Sequence, residues 1–183
     1  MKVKILTTLI ILSFCILVFN NQSEGTNERT TLFVKYLPDG STQTFQHNIE
    51  YLAGENLSES IARTCGELVA DDEQIQQYAE QQTGLFFLVS GGDGMHVALP
   101  PSGKYSRILE MYWQLVPCLL YCHYTEGGYS DITPIDGGAN TNITVPHRIL
   151  CIGFVGVLGW SRPFSFDDTG FAGFTPFLWY EQD

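Results

Sequence analysis

A β-hairpin followed at once by an amphipathic helix constrains this chain more than any other feature. Two β-rich runs, Thr31–Leu37 and Thr42–Gln46, flank Pro38-Asp39-Gly40-Ser41. Proline presets φ for a turn and glycine accepts positive φ, so the pair reads as a hairpin. Beyond it, Leu57, Ile61, Cys65 and Leu68 recur at spacings of four, four and three, one stripe of a helix. Asn56 is a good N-cap, and Glu59 three residues on completes a capping box. A chain that opens this way is expected to fold as α+β, with a helix laid on a sheet.

The rest of the chain supplies strands, breaks and two apolar runs. Polar Ala70–Thr83 reads as helix and then loop. Leu85–Val89 reads as a buried strand stopped by the glycine turn Gly91-Gly92-Asp93-Gly94. Pro100-Pro101-Ser102-Gly103 is a second break, and Tyr105–Val116 reads as helix or irregular chain. Cys118–Tyr124 is a β-type run, and glycine- and aspartate-rich Glu126–Gly138 reads as a linker that marks a domain boundary. Ile149–Trp160 and Gly170–Tyr180 are apolar and aromatic, each too short to cross about 30 Å of hydrocarbon as a straight helix. Two readings stand for them: a membrane-associated hairpin with Trp160, Trp179 and Tyr180 at headgroup depth, or two core strands.

Length and composition allow one ordinary domain with appendages: 183 residues, 44% hydrophobic and 13% aromatic, enough to fill a core. The net charge of −11, without any basic cluster, disfavours nucleic acid and leads to the expectation of no nucleic-acid partner, because neutralising phosphates takes clustered Lys and Arg. Lys2 and Lys4 precede the apolar run Ile5–Phe19, so residues 1–25 read as a signal peptide or an uncleaved signal anchor. Either way the chain meets a membrane. Cys65, Cys118, Cys122 and Cys151 would form disulfides in a lumenal body or pack as free thiols in a cytosolic one. On a strand, Cys118 and Cys122 stand about 13 Å apart, too far to pair with each other.

Catalytic and metal chemistry finds no purchase. His47, His96, His123 and His147 are isolated and lack metal-ligand spacing. The glycine cluster at 91–94 lacks the Lys-Ser/Thr of a phosphate loop, and the ligand spacing of a calcium loop is absent around Asp136 and Asp167-Asp168. No nucleophile elbow or paired acid and base stands out. The expectation is a binding protein without cofactor or metal, not an enzyme. Asn56-Leu57-Ser58 and Asn142-Ile143-Thr144 are glycosylation sequons if the body is lumenal.

Residues 31–128 resemble a ubiquitin-like domain. FVKYLPDGSTQTF is similar to ubiquitin's first hairpin, FFLVSGG to its third strand and turn, and CLLYCHYTEGG stands where its last strand and Gly-Gly would be. Farther on, Cys118, Cys122 and His123, the apolar run, Arg162-Pro163-Phe164 and Ala172-Gly173-Phe174-Thr175 resemble the transmembrane and ubiquitin-like domain-containing family. The resemblance implies a ubiquitin-like β-grasp domain at 29–128, a linker at 129–148 and a hydrophobic membrane hairpin at 149–180. It implies an adaptor at the endoplasmic reticulum membrane whose partners belong to the ubiquitin-degradation machinery. Carried over motif by motif, the partner-binding patch would be Leu37, Leu88, Leu120 and Cys122, with Leu119 and Tyr121 turned to the core side. Topology pulls the other way, since Lys2 and Lys4 favour a cytosolic N-terminus and hence a lumenal body. The alternative is a secreted or lumenal disulfide-containing acidic α+β interaction protein.

Overall fold

The computed structural model describes residues 28–36, 41–50, 55–99, 110–160 and 167–183. Expectations placed on residues 1–25, the turn at Pro38-Asp39-Gly40, Leu37, the break at Pro100–Gly103 and Arg162-Pro163-Phe164 lie outside them. The fold is α+β, dominated by one mixed sheet with two helices. Strands β1 (Glu28–Tyr36) and β2 (Thr42–Glu50) pair antiparallel in register from Glu28↔Glu50 to Tyr36↔Thr42, the expected hairpin. Helix α1 (Leu57–Asp71) begins at Asn56, whose side chain accepts from the Glu59 backbone N–H while the Glu59 carboxylate accepts from the Asn56 N–H. The capping box is therefore closed in both directions, which satisfies two N–H groups that the first turn leaves without partners.

Asp72 ends α1 and caps α2 (Glu73–Glu80), its carboxylate accepting from the Gln74 and Ile75 N–H groups. The same carboxylate pairs with Lys35 of β1, so the helix joint is tied to the sheet. The remaining strands are β3 (Phe86–Leu99), β4 (Glu110–Pro134), β5 (Thr141–Ile143), β6 (His147–Trp160), β7 (Asp167–Thr175) and β8 (Phe177–Gln182).

The long strands each belong to two layers. The first holds β1, β2, β5 and β7 with residues 86–92 of β3, 110–113 and 130–132 of β4 and 155–160 of β6. The second holds β8 with residues 94–99 of β3, 119–124 of β4 and 147–152 of β6. Residues 110–113 of β4 lie between β1, to which they run parallel, and β6. Residues 119–124 lie between β3 and β6, and residues 130–132 between β3 and β5. Strand β7 pairs with both β3 and β6, so β3, β4, β6 and β7 close into a ring. Strands that switch layers need corners. One corner is the irregularity of β3 between Gly92 and Gly94. Another is Gly153 of β6, at φ +81, where a Cβ would also meet Pro176 at 3.0 Å. Positive φ is open to glycine without steric cost.

The folded sheet separates two cores. Phe33, Ile61, Cys65, Val69, Met111, Val157, Ala172 and Phe174 pack between the helices and the first layer. Leu88, Tyr112, Leu120, Cys122, Tyr124, Cys151, Phe154, Leu158 and Phe171 pack between the two layers. Alternate residues of the same strand go to opposite cores: Ala172 and Phe174 to one, Phe171 to the other. That explains the unbroken apolarity of 149–160. In its second half both faces are covered, so no polar alternation marks it as strand. Helix α1 approaches so closely that a Cβ on Gly170 would stand 2.6 Å from the Ala62 backbone nitrogen.

Several sequence expectations change here. Residues 91–94 continue β3 rather than turning. Residues 110–116 are strand, not helix or irregular chain. Residues 126–134 extend β4, and 141–143 form β5, so the stretch expected to be a linker pairs within the sheet. Residues 149–160 and 167–180 fall on strands β6, β7 and β8, of which β6 and β7 contribute to the cores while β8 is largely exposed. Among the described residues, no helix is long and apolar enough to cross a membrane.

Candidate functional site

Three places bring chemistry-bearing residues together, and the first is a buried hydrogen-bond chain. The Tyr124 hydroxyl lies 2.8 Å from Ser90 Oγ, Ser90 Oγ 2.7 Å from Ser130 Oγ, and Ser130 Oγ 2.7 Å from His147 Nε2. His147 Nδ1 lies 2.6 Å from the Val145 carbonyl. A carbonyl can only accept, so Nδ1 carries the proton and Nε2 is the acceptor. Ser130 therefore donates to His147, Ser90 to Ser130, and Tyr124 to Ser90. Burial lowers the His147 pKa, opposed by the Val145 carbonyl. Burial likewise pushes Tyr124 well above its ordinary value.

Ser130 and His147 have the spacing of a nucleophile and its base, yet all four side chains are 0% exposed. No substrate reaches them, and the chain joins β3, β4 and β6 at their corners. His147 is thus not the isolated histidine expected from sequence. His123 sits half-buried beside Asp183, 3.1 Å away, and the His47 side chain lies outside the described residues. Among the described residues, no three His, Cys, Asp or Glu side chains gather to hold a metal.

The second place is a cleft of about 440 Å³ beside α1, lined by Glu55, Glu59, Arg63, Tyr129 and Asp131 among others. Each of its charged side chains already has a partner. Arg63 bonds both oxygens of Glu55 and one of Glu67, and the Glu55 contact raises its pKa most. Glu59 serves the helix cap, and Asp131 accepts from Asn142. Burial first, then Asp131, pushes the Tyr129 hydroxyl upward.

The third place is the outer face of the second layer, where the register aligns apolar side chains across four strands. Leu99 stands opposite Leu119, Leu119 opposite Ile152, and Ile152 opposite Phe177. Val97, Tyr121, Leu150 and Trp179 form the next row, and Met95, His123, Arg148 and Glu181 the third. Leu99 is 53% exposed, Ile152 46%, Phe177 50% and Trp179 42%. Lone exposed apolar residues are ordinary, whereas aligned rows of them are not. Strand β8 pairs only with β6 among the described strands, so this face ends at an open edge.

The patch expected from the ubiquitin resemblance is elsewhere and buried. Leu88, Leu120 and Cys122 are each 0% exposed, within the core between the layers. Leu120 and Cys122 do share a face, as alternation requires, but the sides are reversed: Leu119 and Tyr121 face outward. In CLLYCHY the only local sign of the wet face is His123, which falls by alternation on the same face as Leu119 and Tyr121. Sequence reasoning missed Leu99, Ile152 and Phe177; only strand pairing brings them together.

The cysteines and sequons also find places. Cys65, Cys118, Cys122 and Cys151 are free and buried. This corrects the disulfide reading, since these thiols pack as small apolar groups. Burial pushes Cys118 and Cys122 up to about 12, which keeps them protonated and unreactive at neutral pH. Asn56 is exposed but engaged as the α1 cap, and Asn142 is exposed on β5. Comparison with protein-family models, with curated proteins and with solved structures finds no match for this chain.

Proposed function

We infer that this chain is a protein-interaction module that engages its partner through the outer face of β3, β4, β6 and β8. The observation that carries the reading is the aligned apolar row Leu99–Leu119–Ile152–Phe177, open to solvent while the opposite side of the folded sheet lies under helices. Four strands at about 4.8 Å spacing and six residues at about 3.4 Å rise make a face of about 400 Å², of which the two apolar rows take about two-thirds. An exposed apolar patch rimmed by charged residues is the kind of surface that marks an interaction site. The buried chain is closed to solvent, and the charged side chains of the cleft are already engaged within the chain.

A narrower reading makes the module a membrane-tethered ubiquitin-like adaptor of the degradation machinery at the endoplasmic reticulum. It draws support from the sequence resemblance and from β1 lying between β2 and a parallel β4, with a helix after β2, as in a β-grasp sheet. Beside β4 at that level, however, stands β6 rather than β3.

A photoreactive residue in place of Leu119 tests both. A discrete adduct in cells, absent from the same probe at exposed Thr144 and lost with Ile152→Lys, supports the module. No adduct at 119 sinks it. An adduct from the ubiquitin machinery supports the narrower reading, and any other adduct overturns that reading alone. Glycan on Asn142 after synthesis with microsomes would place the body in the lumen and also remove the cytosolic adaptor.

A further inference from the structure

We propose that the occupant of this outer face is an amphipathic helix of about 15 residues with one basic flank, supplied by another protein; the proposal rests on the interaction reading above. Size argues first. The face measures about 19 by 20 Å, and a helix of about 15 residues is about 22 Å long. The molecule shows the same solution on its other side. There α1, 15 residues long, lays Ile61, Cys65 and Val69 on the first layer. The outer face presents the same kind of apolar floor with no described element over it.

Charge then chooses among occupants, because a face of this size buries about 800 Å² in total against a second copy or against a helix alike. Each copy carries −11, so two copies repel. An anionic lipid surface is disfavoured by the same charge. On the face itself, Arg148 is the cation of the third row, 3.5 Å from Glu181 and 3.0 Å from Asp183. One guanidinium and the His123 ring against two carboxylates make an acidic margin along one side of the apolar rows. A helix with Leu-type residues on one face and Lys or Arg along the shoulder beside that margin complements both.

The test uses the full chain and a synthetic peptide of about 15 residues, with Leu at helical i, i+3, i+4 spacing and Lys elsewhere. The expected result is saturable binding, with amide shifts confined to the rows holding Leu119, Ile152 and Trp179. Leu119→Ser combined with Ile152→Ser leaves the net charge unchanged, so it separates docking from plain charge attraction. It is expected to weaken binding by about tenfold or more, with an unchanged melting temperature showing that the variant folds. Glu181→Gln is expected to weaken binding a few-fold and flatten its salt dependence. Four results would each overturn the proposal: binding insensitive to the double serine variant, equal binding of a Leu/Glu peptide, dimerisation through this face, or adsorption to phosphatidylserine vesicles that the double variant abolishes. If the Leu119 adduct persists and is lost with Ile152→Lys while the Lys peptide fails to bind, the helix is wrong and the interaction reading stands. If neither is seen, both fall.

Discussion

The two outward sides of this folded sheet are built from similar apolar strands and meet different fates. On the first layer, α1 and α2 cover the strands and the side chains beneath are buried. On the second, residues as apolar as Leu99, Ile152 and Phe177 stay in contact with water. The difference teaches that exposure here is decided by connectivity, not composition. The chain supplies helices between β2 and β3, where they reach one layer. No described segment is placed over the other. A covered face contributes to stability, and an uncovered one is available for binding.

The sharpest way to break the comparison is to truncate one residue on each side. Ile61→Ala removes a fully buried side chain on the sheet-facing side of α1 and is expected to cost about 2–5 kcal/mol. Urea denaturation would measure it. A cost below about 1 kcal/mol, under the usual range for such truncations, would mean the helix is not seated as described. A small insertion should act in the same place. Gly170→Ala puts a methyl against the Ala62 backbone, with an expected loss of about 1–3 kcal/mol. If the variant is as stable as the parent, the close approach of α1 to β7 is wrong.

The buried chain between the layers should respond to pH. Ser130→Ala leaves His147 Nε2 without its donor and is expected to cost about 1–3 kcal/mol. Acid has a related effect. The folded pKa of His147 lies below its ordinary value of 6.5. The unfolded chain therefore takes up the proton first, and stability falls as pH drops from about 6.5 through the folded value. His147→Gln should be less stable at neutral pH and lose less stability between about pH 7 and about pH 5.5. Parallel losses in parent and variant over that range would remove His147 as the source.

How much of this was legible depended on whether chemistry alternated along the chain. Helix α1 was fully readable, because its stripe, its Asn56 cap and Glu59 are all local signals. Asn56→Ala accordingly has a simple expectation, a loss of about 1 kcal/mol in thermal or urea melts. The hairpin strands and LFFLV were readable for the same reason. The layer-switching strands were not. Glycines 91, 92 and 94 look like a turn, but they let β3 change layers while still pairing with β4. Ser130 lies in a stretch whose polarity suggests a linker, yet its hydroxyl is spent inside the core. Ile149–Trp160 hid its strand identity because much of it is covered on both sides. The candidate surface was the least legible part. Its rows are assembled from β3, β4, β6 and β8, and no local spacing records which strands become neighbours.

The smallest expected effect on stability is also the one that separates the two faces most cleanly. Ile152→Ser lies at the centre of the outer rows, beside Leu119 and Phe177. It is 46% exposed, so its truncation should change unfolding free energy by no more than about 0.5–1 kcal/mol. Ile61→Ala should cost several times more, although both substitutions truncate an isoleucine, one on α1 where it packs on the first layer and the other on the outer rows. If Ile152→Ser instead proves as costly as Ile61→Ala, something in the chain already covers that face. The outer rows would then be a third core rather than a binding surface. A near-neutral result leaves the row apolar for a reason other than folding, and binding is the function such a row can serve.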